Sequence, residues 1–260
     1  MLLPRPISIC EVSDDLEELR LVYRIAGKGT EAISGLKPGG KTEILGILGN
    51  GYEFDKIASV INTGPGNAPE ISGEGNAPEI PGEGNASGMS GTEILLTLMD
   101  HRFLLLGGGI GIPPMLEAAK ELKAHGAEPV IVAGYRDSSL FLAEDLEKYG
   151  TLYIATEDGS TGDAGNVLDV VRNRNLTADV IFACGPMPML KAVAEYAAGE
   201  TGKGHHTEAF LSLEERMACG VGACLGCVVK TKEKDPHSNV KNARICTEGP
   251  VFRASELDLE

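Results

Sequence analysis

The chain has 260 residues, 42% of them hydrophobic, enough to bury about two or three modest cores and to exclude disorder throughout. A formal net charge of −15 argues against nucleic acid, because phosphate binding needs clustered Lys and Arg rather than an acidic excess. The longest apolar stretch, residues 103–115, is broken by four glycines and two prolines and is too short for a membrane span. The amino-terminal Met-Leu-Leu-Pro-Arg-Pro is too short and polar for a signal peptide, so a cytoplasmic location is expected.

Residues 5–10 and 21–26 read as two β-rich strands joined by the acidic turn Asp14-Asp15. Glycines at 27, 29, 35, 39, 40, 46, 49 and 51 then make the opening module short-stranded and turn-rich. From Gly66 a nine-residue unit, Gly-Asn-Ala-Pro-Glu-Ile-Ser-Gly-Glu, recurs at Gly75 and in decayed form at Gly84. Three copies rich in Gly and Pro cannot build a solenoid core, so residues 62–92 read as a flexible insert. Beyond it, apolar strands at 103–106, 129–133, 152–155 and 180–183 alternate with helical patterns at 114–125, 166–172 and 189–198. Such alternation predicts a doubly wound parallel sheet covered on both faces, its first helix opening at Pro113-Pro114 and stopping at Gly126.

The strongest chemical signal is Cys219-x4-Cys224-x2-Cys227, followed after eighteen intervening residues by Cys246. In a chain without disulfide context such a cluster reads as metal ligands, and this spacing is that of a plant-type 2Fe-2S centre. Gly220, Gly222 and Gly226 sit where backbone N–H groups must turn toward sulfur without a Cβ in the way. A structural zinc site or unligated thiols are the alternatives, although zinc sites usually pair two C-x2-C knuckles and here there is one.

The run Leu104-Leu-Leu-Gly107-Gly108-Gly109-Ile-Gly111-Ile-Pro-Pro114 carries a strand through a glycine turn into a helix start, an arrangement suited to a pyrophosphate although not the strict dinucleotide fingerprint. Later strands end in Gly134-Tyr135-Arg136, Thr156-Glu157-Asp158-Gly159 and Cys184-Gly185-Pro186-Met187, where ligands of open α/β sheets gather. Arg136, Asp158, Cys184, Gly185 and Pro186 are therefore candidate nucleotide contacts beside Gly107, Gly108, Gly109 and Gly111. The bland reading of each is a strand-ending turn. No basic cluster near the ribose end favours a 2′-phosphate, which points to NAD. In the opening strands, Arg5-Pro6-Ile7-Ser8 lies beside Tyr23-Arg24, with Gly29-Thr30 just after, and could clamp a phosphate.

Taken together, Arg5-Pro-Ile-Ser8, Gly46-Ile-Leu-Gly49-Asn-Gly51, Gly107-Gly-Gly-Ile-Gly111-Ile-Pro-Pro114, Cys184-Gly-Pro186, Met217-Ala-Cys-Gly-Val-Gly-Ala-Cys224 and Ala243-Arg-Ile-Cys-Thr-Glu-Gly-Pro-Val-Phe252 resemble the ferredoxin reductase superfamily. More narrowly they resemble the electron-transfer subunits of bacterial NAD-dependent dihydroorotate dehydrogenase, type B. The resemblance covers the chain except the repeat. It implies a multidomain α+β and α/β protein: a partial antiparallel flavin barrel over 1–61, the insert over 62–92, an NAD-binding domain over 93–204 and a 2Fe-2S domain over 205–260. It assigns FAD to Arg5, Pro6, Ile7, Ser8, Val22, Tyr23, Arg24, Gly29 and Thr30, and the cluster to Cys219, Cys224, Cys227 and Cys246. It implies a separate FMN-bearing catalytic subunit, two of each chain forming a heterotetramer. Electrons would pass from dihydroorotate to that FMN, through the cluster and FAD, to NAD in pyrimidine biosynthesis. In the family, earlier barrel strands precede the Arg-Pro-x-Ser strand, which here begins at the fifth residue; looser FAD binding is expected from that. A subunit of a hydrogenase or of a ferredoxin-nucleotide reductase, or a non-catalytic cluster protein, are the competing expectations.

Overall fold

The computed structural model describes residues 5–63, 89–235 and 239–259. The two full copies of the nine-residue unit and the first part of the decayed third lie outside the described residues. Strands β1 (Ile9–Val12) and β2 (Leu19–Leu21) form an antiparallel pair closed by a turn in which Ser13 N–H donates to Glu18 O at 3.0 Å. The pairing hugs this turn rather than spanning the predicted 5–10 and 21–26, and Pro6 has no N–H to extend it. The antiparallel part of the opening segment is this two-stranded ribbon among the described residues. The outer edge of β1 is satisfied by side chains, since Val12 N–H donates to Glu117 Oε2 at 2.9 Å and Val12 O accepts from Lys120 Nζ at 2.6 Å.

Three helices follow: α1 (Lys28–Ser34), α2 (Phe54–Thr63) and α3 (Gly91–Asp100). The last is opened by a capping box in which Ser90 Oγ accepts from Glu93 N–H at 3.3 Å and Glu93 Oε2 accepts from Ser90 N–H at 2.7 Å. Both ends of segment 62–92 are thus helical: α2 runs through Thr63, and α3 begins at Gly91.

The central layer then unfolds as β3 (Phe103–Gly108), α4 (Pro113–Ala124), β4 (Val130–Tyr135), α5 (Ala143–Leu146), β5 (Thr151–Thr156), β6 (Asp163–Ala164), α6 (Val167–Asn173), β7 (Val180–Cys184), α7 (Met187–Gly202) and β8 (Glu208–Ser212). A ribbon of β9 (Val228–Lys230) and β10 (Asn242–Arg244) precedes the last strand, β11 (Val251–Arg253). The seven-stranded sheet runs β11-β8-β7-β3-β4-β5-β6, parallel except for β11, as the alternating pattern predicts. Helix α4 ends at Gly126, whose φ of +81° supplies the left-handed C′ residue. No helix among the described residues is long and apolar enough to cross a membrane.

Side chains of β3 alternate between two cores. Phe103 and Leu105 pack with Met115, Leu116, Ile131, Phe182 and Phe210, while Leu104 and Leu106 pack with Val132, Val170, Ile181, Val193 and Leu211. Two facts tie the cysteine region to this sheet. Strand β8, which the sequence groups with the cysteines, lies in parallel beside β7, and Cys227, Ile245, Cys246 and Leu257 are buried in the second core. The partners Arg253 and Glu208 meet at 3.0 Å with side chains only 12% and 11% exposed, pinning β11 to β8.

Candidate metal centre and nucleotide crevice

The loop after β8 turns on two left-handed glycines, Gly220 at φ +72° and Gly222 at φ +76°. This aims N–H groups inward: Val221 N–H donates to Cys219 Sγ at 3.5 Å. Backbone hydrogen bonds from Val221 and Cys224 and the Cys224 thiol bring the Cys219 thiol down to about 6, so its thiolate is favoured at neutral pH. Burial, followed by the adjacent Cys227 thiol, pushes Cys246 up, while the Gly222 N–H partly offsets the rise. The four sulfurs thus gather as two neighbouring pairs, Cys219 with Cys224 and Cys227 with Cys246. Among the described residues no three Cys, His, Asp or Glu side chains converge as they do about a single metal ion. What points to a two-iron centre over a zinc site is the spacing, one C-x4-C-x2-C loop with a distant fourth cysteine.

The pairs differ in support. Cys227 and Cys246 are each 2% exposed, and Ile245 N–H donates to Cys227 O at 2.9 Å. The next turn is clamped by Arg244, which reaches Glu248 through Nε at 3.0 Å and Nη2 at 3.1 Å while its backbone N–H also donates to that carboxylate. Cys224 is exposed, between exposed Val221 and Leu225. One half of the site is therefore part of the core and the other faces outward.

The candidate nucleotide residues assemble where the winding of the sheet reverses, at the carboxyl ends of β3 and β7. A Cβ on Gly111 would lie 2.1 Å from Cys184 O and 2.6 Å from Gly185 N, so the glycine turn and the Cys184-Gly185-Pro186 turn pack backbone to backbone. A Cβ on Gly108 would lie 2.6 Å from Met189 Sδ and 3.2 Å from Pro186 Cδ, whereas one on Gly109, at φ +55°, would meet nothing within 4 Å. Gly109 is the open lip of the turn. Arg136 and Asp158 stand exposed on the adjacent ends of β4 and β5, linked by Asp158 N–H donating to Arg136 O at 3.3 Å. Ser160 hydrogen bonds hold the Asp158 carboxyl below its usual range.

Cys184 contributes backbone to this crevice rather than sulfur. Its side chain is buried, and burial pushes the thiol up to about 12, with Ser212 opposing. Cys10, also buried, is raised to about 11 by desolvation. A consequence is that in the cluster-free chain at pH 8, iodoacetamide should modify Cys219 within minutes and leave Cys10 and Cys184 unmodified over hours. Peptide mapping by mass spectrometry reads this directly, and early labelling of Cys184 would contradict its placement in the core.

On the opening segment, the Arg5 guanidinium lies over buried Gly29, 2.3 Å from where a Cβ would stand. Thr30 Oγ1 accepts from Ala26 N–H at 2.9 Å, fixing the start of α1 beside it. Ile7, Ser8, Val22 and Tyr23 are half-buried, and Pro6 and Arg24 are exposed. The structure thus brings Arg5, Gly29 and Thr30 together. Two further residues matter here, Asn50 from the motif at 46–51 and Tyr52, neither assigned a role of its own by the sequence. Asn50 pairs with the strand after Cys246, and Tyr52 donates from its hydroxyl to Ala183 O at 3.2 Å while stacking on Phe182 at 4.4 Å between centroids.

Residues 214–258 match the iron-sulfur cluster binding domain of dihydroorotate dehydrogenase B. The electron transfer subunit of dihydroorotate dehydrogenase B (NAD(+)) from Geobacillus kaustophilus is 37% identical over 259 residues, 99% of this chain and 81% of that protein. The subunit of the same name from Streptococcus mutans is 36% identical over 260 residues, 100% of this chain and 82% of that protein. Among solved structures, that of an NADH-dependent reduced ferredoxin-NADP oxidoreductase, studied for flavin-based electron bifurcation, superposes with a TM-score of 0.68. It is 25% identical and is matched over 98% of this chain and 74% of its own. The chain belongs to the family of electron transfer subunits of dihydroorotate dehydrogenase B (NAD(+)).

Proposed function

We propose that this chain relays electrons between an FMN-bearing catalytic subunit that oxidises dihydroorotate and NAD, in a cytoplasmic complex of two chains of each kind serving pyrimidine synthesis. The observation that carries the reading is the Cys219-x4-Cys224-x2-Cys227 loop, turned on the left-handed Gly220 and Gly222 and joined by Cys246, with Cys227 and Cys246 rooted in the core of the same sheet whose crevice holds the glycine turn. When bound, FAD and the 2Fe-2S cluster supply the two-electron and one-electron chemistry. The chain's own residues bind, orient and shield them. Arg5, Ser8, Arg24 and the Gly29-Thr30 turn suit the flavin's phosphates, with Pro6, Ile7, Val22 and Tyr23 beside them. Gly107, Gly108, Gly109 and Gly111 at the start of α4, with Gly185 and Pro186, suit the pyrophosphate of NAD, and Arg136 and Asp158 stand where its far end would reach. The division into a flavin segment to residue 61, a nucleotide unit and a cluster unit follows these sites.

The exposed side of the cluster loop is the docking face in this reading. Cys224 is exposed there beside Val221 and Leu225, which are 67% and 63% exposed, and the exposed charged run Glu214, Glu215 and Arg216 leads into the loop. Two experiments test it. The purified chain should leave dihydroorotate untouched, and should support dihydroorotate-dependent NADH formation once mixed with an FMN-containing catalytic subunit. Charge reversal at Glu214, Glu215 or Arg216 should slow association by about two- to tenfold, as for charges at an interface rim, with NADH oxidation by artificial acceptors retained. Unaltered association in all three variants would reject this face, and dihydroorotate oxidation by the chain alone would reject the relay.

A further inference from the structure

Residues 41–48 are exposed, and among the described residues backbone hydrogen bonding resumes at Asn50. Within five residues the chain then touches three separate parts of the molecule. Leu48 Cδ1 sits 3.0 Å from where a Cβ of Gly220 would stand, against the cluster loop. Asn50 N–H donates to Gly249 O at 2.6 Å, Asn50 O accepts from Val251 N–H at 3.2 Å, and Asn50 Nδ2 donates to Glu248 O at 3.2 Å. Glu248 is the residue that clamps Arg244 across Cys246. Two residues on, Tyr52 caps Ala183 O, next to the Cys184 carbonyl that packs on Gly111. The approach at Asn50 is close: Gly49, at φ +71°, has no room for a Cβ, which would lie 1.9 Å from Gly249 O.

We infer that Asn50 is a positioning residue of the relay: it latches the segment following the flavin-side residues onto the turn after Cys246 and so fixes the spacing between flavin and cluster. This rests on the assignment of FAD to the opening segment and of the cluster to the four cysteines. The backbone of Asn50 adds a one-residue parallel bridge at Pro250, beside β11, joining the segment to the edge of the same sheet that carries the nucleotide turn. The side chain supplies a third tie, to a carbonyl that would otherwise be left without this donor. A rigid three-way junction suits a relay, because rates between fixed partners fall steeply with small displacements.

The test uses the full chain loaded anaerobically with cluster and FAD, compared with Asn50→Ala and Gly49→Ala. Stopped-flow absorbance separates flavin reduction by NADH from the cluster reduction that follows, and redox titration gives both potentials. In Asn50→Ala, flavin reduction should stay within about twofold of the parent, while the cluster phase slows about fivefold or more, and both potentials should stay put. Gly49→Ala should slow the cluster phase further, and amide exchange at Gly249 and Val251 should quicken in both variants. An unchanged cluster phase in Asn50→Ala overturns the inference, as does a slowing matched by a shifted cluster potential or by an equal slowing of flavin reduction. Should the unaltered chain take up no FAD, or its cluster stay oxidised after NADH, the relay reading itself falls, and the inference with it. Gly49→Ala could fail to fold, and Asn50→Ala carries the test in that event.

Discussion

Replacing Gly111 by Ala is expected to weaken NADH binding by at least about tenfold and to destabilise the fold by about 1–3 kcal/mol, the usual range for overpacking a filled core. The added methyl would stand 2.1 Å from Cys184 O, 2.3 Å from Cys184 C and 2.6 Å from Gly185 N. These are backbone atoms in the middle of a sheet, with β7 paired to β3 on one side and to β8 on the other, so they cannot swing away as a side chain could. The glycine turn must instead lift off the Cys184-Gly185-Pro186 turn, opening the crevice at the point where N–H groups and the start of α4 would face the pyrophosphate. Gly109→Ala is the matched comparison. Its methyl would enter open space, and the cost is that of a left-handed alanine, about 1–2 kcal/mol of backbone strain. Isothermal titration with NADH and thermal melting of both variants distinguish the two effects. Equal, small losses in both would mean that the two turns do not form one site.

Why the sequence shows some of this and hides the rest follows from the range of the interactions. Strands β3, β4 and β7 are covered on both faces, so they appear as continuous apolar runs that need no partner to be recognised. The start of α6 was equally local, since Asn166 and Asp169 form a capping box inside four residues. Helix α3 carried the same kind of signal in Ser90-Gly-Thr-Glu93, but that signal fell inside the stretch grouped with the repeat. The opening strands were displaced because their pairing is set by the Ser13 turn and by Glu117 and Lys120, about a hundred residues away. For the candidate sites, the cysteine spacing and the strand ends are the local signals. The motif at 46–51 includes Asn50, but the contact of Asn50 with Glu248 spans 198 residues and nothing in the motif names that partner. Cys184 stood out as a residue type, although what it offers the crevice is a carbonyl, its thiol being buried and held protonated.

Replacing any one of the four clustered cysteines by serine is expected to remove the iron-sulfur centre, but with consequences for folding that divide along the two pairs. The unaltered chain, purified without air, should carry two irons and two acid-labile sulfides, the content of the plant-type centre. Thiolate is the ligand iron prefers at such sites, so a serine hydroxyl in its place loses the centre or leaves it too labile to survive purification. Cys224 is exposed, so Cys224→Ser should lose iron and sulfide while the rest of the chain melts within a few degrees of the cluster-free parent. Cys227 and Cys246 are core residues, each 2% exposed and packed with Leu211, Leu213 and Phe252 in the second cluster of the sheet. A hydroxyl there is buried without its thiol's apolar contacts, a cost of about 1–3 kcal/mol in proteins. Because metal binding and folding of the surrounding ribbon are one equilibrium, these two variants should also loosen β9–β10 and the β11 edge. Iron and sulfide assays, visible circular dichroism and melting curves on all four variants read the pattern. Finding one zinc and no sulfide in the unaltered chain would overturn the assignment of the centre. Melting losses as large in Cys224→Ser as in Cys227→Ser would overturn the division between an outward pair and a core pair.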